Sequence, residues 1–194
     1  MSDSKLFDVP AEMAAPLSSF ERPSSKRLMV FSGRSNVDLA QRICERLGVQ
    51  LGQTTLKSFA NGEIYARFEE SVRGADVFLV QSCVNPVNRN LMELMIMADA
   101  AMLGSAKRVT AVIPWYPYAR QDKKSAPREP ITARLVATLL RASGVDRVLT
   151  MDLHAGQVQG FFDGPVDHMT ALPMFAQYFR DIGMSGDEIG RAHV

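Results

Sequence analysis

Short apolar runs recur along the chain, separated by longer stretches in which apolar residues fall three and four positions apart. The short runs lie at residues 27–32, 76–81, 108–113 and 146–151. Unbroken apolar character over so few residues predicts strands buried on both faces. The longer stretches predict helices. Ser35 or Asn36 caps one that runs to Leu47 with Leu39, Ile43 and Leu47 on its apolar face, and Gly48 stops it. Residues 90–103 predict a second, rich in methionine: Leu91, Met92, Leu94, Met95, Met97 and Met102. Such a stripe is core or subunit contact far more often than a cofactor site. Residues 131–143 predict a third helix, with Leu135, Leu139 and Leu140 apolar and Gly144 as its stop, and residues 171–182 a fourth. Residues 54–60 and 63–69 read as extended segments around Asn61-Gly62, the signature of a hairpin turn. Strands alternating with helices at this spacing predict an α/β fold with a mostly parallel sheet, right-handed crossovers and helices on both faces.

The pattern also divides the chain. Residues 1–26 contain Pro10, Pro16 and Pro23 with much Ser and Ala and no period, which predicts a mobile tail. One ordered domain is expected over residues 27–169. Residues 170–187 are expected to open a second, truncated domain. Residues 188–194 have no period and back-translate in one frame to a sequencing-adapter sequence, so they are expected to be non-native. The formal net charge of +1 argues against a general nucleic-acid or membrane field. No apolar run approaches the roughly 20 residues of a membrane span. The two cysteines, Cys44 and Cys83, lie in apolar patterns far apart, which fits core packing in a reducing cytoplasm.

Candidate chemistry concentrates where the last apolar run ends. Asp152 and His154 follow it directly, and in extended chain residues two apart point the same way. In open α/β sheets ligands bind beyond the carboxyl ends of strands, so both are expected in a crevice. Asp163 and Asp167 flank Gly164-Pro165 on a turn able to fold back toward the same place. Three carboxylates and an imidazole suit a divalent cation with phosphate as co-ligand, Mg2+ or Mn2+; the plain alternative is turn aspartates and a core histidine. No Walker loop and no Gly-x-Gly-x-x-Gly occurs. Two other stretches offer polar grips: Phe59-Ala60-Asn61-Gly62-Glu63, and Arg120-Gln121 within the long polar stretch 115–130. Taken singly, the first is a hairpin turn and the second a solvated basic loop.

Taken together these stretches resemble ribose-phosphate pyrophosphokinases (phosphoribosyl pyrophosphate synthetases). The resemblance rests on four strings in order: Phe59 to Ile64, Pro114 to Lys124, Arg128 to Thr132, and Asp152 to Phe162. It implies a phosphoribosyltransferase-like doubly wound domain, the amino-terminal half of a two-domain protein. The implied activity joins ATP and ribose 5-phosphate into phosphoribosyl pyrophosphate, releasing AMP. By this likeness Phe59 stacks on adenine, and Asn61, Gly62 and Glu63 contact the nucleotide. Arg120 and Gln121 hold the nucleotide and its phosphates, with Asp122 nearby. Asp152 and His154 stand at the ATP-bound magnesium, and Asp163 and Asp167 match cation ligands of relatives. Residues 123–128 resemble a segment linked to allosteric phosphate or ADP binding between subunits, from which Ser125-Ala126-Pro127 departs. A homo-oligomer, dimers assembled into hexamers, is also implied.

The second half of that family has no counterpart here. The acidic loop for ribose 5-phosphate, a further cation aspartate and an essential lysine on a basic loop are all missing. The expectation is an ATP-binding half that does not turn over by itself and carries no catalytic residue of its own. A non-catalytic homologue that binds nucleotide or partner subunits is the main alternative. A plain phosphoribosyltransferase is excluded because its acidic pair followed by Thr-Gly-Gly-Thr is nowhere present.

Overall fold

A computed structural model of the chain describes residues 27–183. The expected mobile tail at 1–26 and non-native end at 188–194 lie outside the described residues. Seven strands and four helices form: β1 (Leu28–Ser32), α1 (Val37–Leu47), β2 (Thr54–Ser58), β3 (Ile64–Phe68), β4 (Asp76–Val80), α2 (Val87–Leu103), β5 (Arg108–Ile113), α3 (Thr132–Ala142), β6 (Arg147–Met151), β7 (Val166–Met169) and α4 (Leu172–Asp181), with a 3-10 helix at Gly156–Phe161. Five strands make one sheet in the order β1-β4-β5-β6-β7, every neighbour parallel. β2 and β3 pair antiparallel as a separate hairpin.

Strand alternation divides the core in two. Phe31, Val77, Leu79, Val109, Ala111, Ile113 and Val148 face α2 and α3, whose Leu94, Met97, Val136 and Leu140 pack among them. Val30, Val80 and Val112 face α1 through Ala40 and Cys44. The fold is therefore α/β with helices on both sides of a parallel sheet. The helix ends obey local chemistry. Asn36, not Ser35, caps α1: its Oδ1 accepts the Leu39 N–H at 3.2 Å. Gly48 closes α1 at φ 67°, its N–H reaching the Cys44 and Glu45 carbonyls. α2 starts at Val87, earlier than the methionine pattern indicates, because Pro86 occupies the N-cap. Both cysteines are free and buried, as packing residues should be.

The hairpin differs from its expected form. Its strands stop at Ser58 and start again at Ile64, leaving Phe59 to Glu63 as a five-residue loop. The Phe59 N–H donates to the Glu63 carbonyl at 2.8 Å and the Gly62 N–H to the Phe59 carbonyl at 2.9 Å. Gly62 sits at φ 92°, which suits glycine.

A buried polar knot anchors this hairpin to the sheet. Glu93 of α2 is fully buried. Its carboxylate accepts the Arg34 Nε at 2.5 Å, the Arg34 backbone N–H at 2.7 Å and the Gln81 amide at 3.0 Å. Gln81 in turn accepts from the Ser35 hydroxyl at 2.7 Å. The other end of the Arg34 guanidinium donates to Ser58 at 3.2 Å. A Cβ on Gly33 would come within 2.3 Å of the Gln81 side chain, so any other residue there would push the Gln81 amide out of the knot.

α4 buries none of its residues. Leu172 and Met174 are each 69% exposed, and Phe175 and Tyr178 are more than half exposed. The described residues contain no helix long and apolar enough to cross a membrane.

Candidate functional site

Three loops leave the carboxyl ends of β4, β5 and β6 and enclose a cavity of about 1020 Å3. Asn85 and Pro86 come from the first, with Val87 to Arg89 at the start of α2 behind it, Trp115 to Gln121 from the second, and Asp152 to His154 from the third, after Met151 at the end of β6. This is the crevice position that ligands take in open parallel sheets. α2 begins on its wall with no side-chain cap and no acid in the first turn. A helix start of this kind favours negative charge. Arg89 and Arg120 both line the cavity, and neither enters an ion pair among the described residues. These groups together give that part of the cavity positive potential.

The loop carrying Arg120 is held from below. Tyr116 is buried and Tyr118, at φ 56°, hydrogen-bonds Asn88 across the cavity rim. The Gln121 carbonyl accepts the Ala133 N–H at 3.1 Å, and the Gln121 side-chain oxygen accepts the Thr132 hydroxyl at the start of α3. Asp122 is buried and does not line the cavity; its carboxylate takes the Gln157 amide from the 3-10 helix. Beyond it, the Glu129 carboxylate accepts the Ala126 and Ser125 N–H groups, which hold its pKa below the ordinary value. Cys83, whose N–H donates to the Trp115 carbonyl at 3.2 Å, is buried, and burial pushes its thiol up to about 12. A thiol so strongly protonated is no nucleophile.

Asp152 and His154 reach the cavity by a route different from the expected extended chain. Asp152 has φ 45°, a left-handed conformation open to few residues other than glycine, aspartate and asparagine. Its N–H donates to the Met169 carbonyl at 2.9 Å, and both its carboxylate oxygens lie 3.2 Å from the Ala171 N–H. The other two carboxylates do not join them. Residues 166–169 form the edge strand β7, not a turn, and Asp167 pairs in register with Leu149 on the sheet face that carries α1. There it forms an ion pair with Arg147 at 2.7 Å, lining a second hollow at the other end of the strands. Asp163 is exposed and outside the cavity lining. Among the described residues no three His, Cys, Asp or Glu side chains cluster as a metal site.

Phe59, Asn61, Gly62 and Glu63 also lie outside the cavity lining, at the tip of the hairpin. Phe59 is 48% exposed, and Lys57 stands over its ring at 5.8 Å. The structure thus brings Arg120, Gln121, Asp152 and His154 into one cavity and leaves the Phe59 loop, Asp122, Asp163 and Asp167 out of it. Arg89 was not apparent from sequence. It falls in no apolar period, and its only signal is a cation in the first turn of a helix, where acids are usual.

Comparison with known proteins agrees with this architecture. The sequence profile for the N-terminal domain of ribose phosphate pyrophosphokinase matches residues 28–144. The ribose-phosphate pyrophosphokinase of Fusobacterium nucleatum is 58% identical over 160 residues, 82% of this chain and 51% of that protein. That of Mycobacterium tuberculosis is 57% identical over 156 residues, 80% of this chain and 48% of that protein. The crystal structure of phosphoribosylpyrophosphate synthetase from Mycobacterium smegmatis superposes with a TM-score of 0.79 at 54% identity, covering 80% of this chain and 52% of that one. The chain spans about half the length of the curated relatives it matches. The profile spans β1 to α3, the identity and the superposition each extend over about four-fifths of the chain, and the chain belongs to the ribose-phosphate pyrophosphokinase family through that family's N-terminal domain.

Proposed function

We propose that this chain is the ATP-binding half of a ribose-phosphate diphosphokinase, the enzyme that moves diphosphate from ATP to ribose 5-phosphate. The observation that supports it most is the shared cavity: the guanidinium of Arg120 and the side chains of Asp152 and His154 line the same space. In this reading Arg120 forks onto phosphate oxygens and Gln121 offers the amide nitrogen that Thr132 leaves unused. Arg89 and the uncapped start of α2 add positive potential on the opposite wall. Diphosphoryl transfer calls for alignment and neutralisation of spreading charge rather than a covalent intermediate, and these residues provide it.

Asp152 and His154 would hold a divalent cation. Two protein donors fit Mg2+, which keeps several waters and takes phosphate oxygens as its remaining ligands. The cation, when bound, supplies charge neutralisation across the phosphates. Asp163 and Asp167 have no part in this arrangement, because Asp163 lies outside the cavity lining and Asp167 is committed to Arg147 on the other face. Phe59, Asn61 and Glu63 then meet the nucleotide between copies of the chain, in keeping with a homo-oligomer. Ribose 5-phosphate belongs to the half that the relatives have beyond this chain's match.

The test is calorimetry with Mg-ATP. The unaltered chain binds, and Arg120→Ala weakens binding by about 10- to 100-fold, the loss of one or two charge-assisted hydrogen bonds. His154→Ala removes the dependence on magnesium. Binding that ignores both substitutions would sink the proposal. Turnover separates the enzyme half from a regulatory homologue only in the joined protein: the chain alone, given ATP, Mg2+ and ribose 5-phosphate, forms no AMP.

A further inference from the structure

We propose that His168 is a positioning residue for the cavity, acting through the backbone amide of Leu153 that separates Asp152 from His154. The left-handed Asp152 is a strained conformation, and such conformations persist only where the surroundings fix them. Three contacts fix this one. Two come from backbone: the Asp152 N–H to the Met169 carbonyl, and the Ala171 N–H to the Asp152 carboxylate. The third is a side chain. His168 Nε2 accepts the Leu153 N–H at 2.9 Å.

Strand alternation explains why this histidine is available. Asp167 points to the α1 face and is held by Arg147, so His168 points to the other face, toward the 3-10 helix. There Nδ1 stands 3.3 Å from the Gln159 amide. The same 3-10 helix carries Gln157, which holds Asp122 in the Arg120 loop. One imidazole on β7 therefore holds the Asp152–His154 turn, beside the helix that braces the loop across the cavity. Nε2 must be the unprotonated nitrogen, since a backbone N–H can only donate to it.

His168 is exposed, so water replaces it at the amide when it is removed. Global stability then changes little, and the geometry of the turn carries the effect. This distinguishes positioning from a structural role. The inference rests on the Mg-ATP reading of the cavity, and its test is built to fail separately from that reading.

The experiment compares the unaltered chain with His168→Ala and His168→Gln, whose side-chain oxygen reaches about as far as Nε2. Amide exchange at Leu153 is read by NMR and Mg-ATP affinity by calorimetry. In His168→Ala, Leu153 exchange rises and Mg-ATP binding weakens roughly tenfold, the scale of one net hydrogen bond. His168→Gln restores both, and the urea midpoint is the same in all three. Unchanged Leu153 exchange in the alanine variant overturns the contact. Faster exchange with unchanged affinity overturns the positioning role, as does failure of glutamine to restore binding. An unaltered chain that does not bind Mg-ATP overturns the reading of the cavity and the role of His168 in it.

Discussion

Glu93→Ala is expected to destabilise the folded chain by on the order of 3 kcal/mol, the cost of removing one partner from a buried ion pair. The carboxylate is fully buried and accepts from Arg34 twice and from Gln81 once. Its removal strands a guanidinium, a backbone N–H and a buried amide together. The guanidinium is 27% exposed and regains some water, which places the loss at the lower end of the range for such pairs. Glu93→Gln keeps the acceptor shared by Gln81 and the Arg34 backbone N–H but sets amide hydrogens against the Arg34 Nε–H, and should cost about 1–2 kcal/mol. Urea unfolding followed by circular dichroism measures both. A loss below about 1 kcal/mol for the alanine variant would show that the knot is not what holds α2, the turn after β1 and the hairpin together.

Alkaline pH should unfold the chain early. Burial raises the Cys83 thiol from 9.0 to about 12. It raises the Tyr116 hydroxyl as well, with the nearby Cys83 thiolate as a second, smaller cause. Both groups therefore keep their protons in the folded chain at a pH where the unfolded chain has lost them. Stability from this source is complete below pH 9 and falls as pH rises toward 12. The slope is about 1.4 kcal/mol per pH unit for one group fully in its window. Between pH 9 and 10.5 the loss should be about 2 kcal/mol, roughly two-thirds of it from Cys83 and the rest from Tyr116, since tyrosine in the unfolded chain titrates near pH 10. Cys83→Ala flattens the curve over that interval. A urea midpoint that stays level from pH 8 to 10.5 in the unaltered chain would contradict this.

The strands buried on both faces and the helices with strong apolar stripes were legible, because burial alone writes those patterns. β1, β4, β5, β6, α1 and α3 fall where the apolar runs put them. β7 was hidden. As an edge strand it pairs on one side only, so Asp167 and His168 interrupt its apolar character, and Gly164-Pro165 before it imitates a turn. The same oversight misplaced Asp167. Proximity in sequence suggested a cluster with Asp152, but alternation along an unrecognised strand turns its carboxylate to the opposite face and to Arg147.

Asp152 illustrates a different limit. Its place in the cavity was anticipated, but the argument from extended chain was not the reason; a single positive φ carries it there. Arg89 was invisible for a third cause. Its significance lies in the space between three loops, which no local pattern records. The strings that carry the family resemblance, by contrast, were complete in the sequence. Even so, they gave no sign that the Phe59 loop and Arg120 occupy different surfaces of one chain.

The strand order carries a consequence for how the chain assembles. β4, β5 and β6 each neighbour the strand that follows in sequence, whereas β1 must find β4 after α1 and the whole hairpin have passed, with Leu28 opposite Asp76. Closing that loop costs more chain entropy than any other pairing in the sheet. Pulse-labelled hydrogen exchange during refolding should therefore protect the amides of β5 and β6 before those of β1, and simultaneous protection would refute this order.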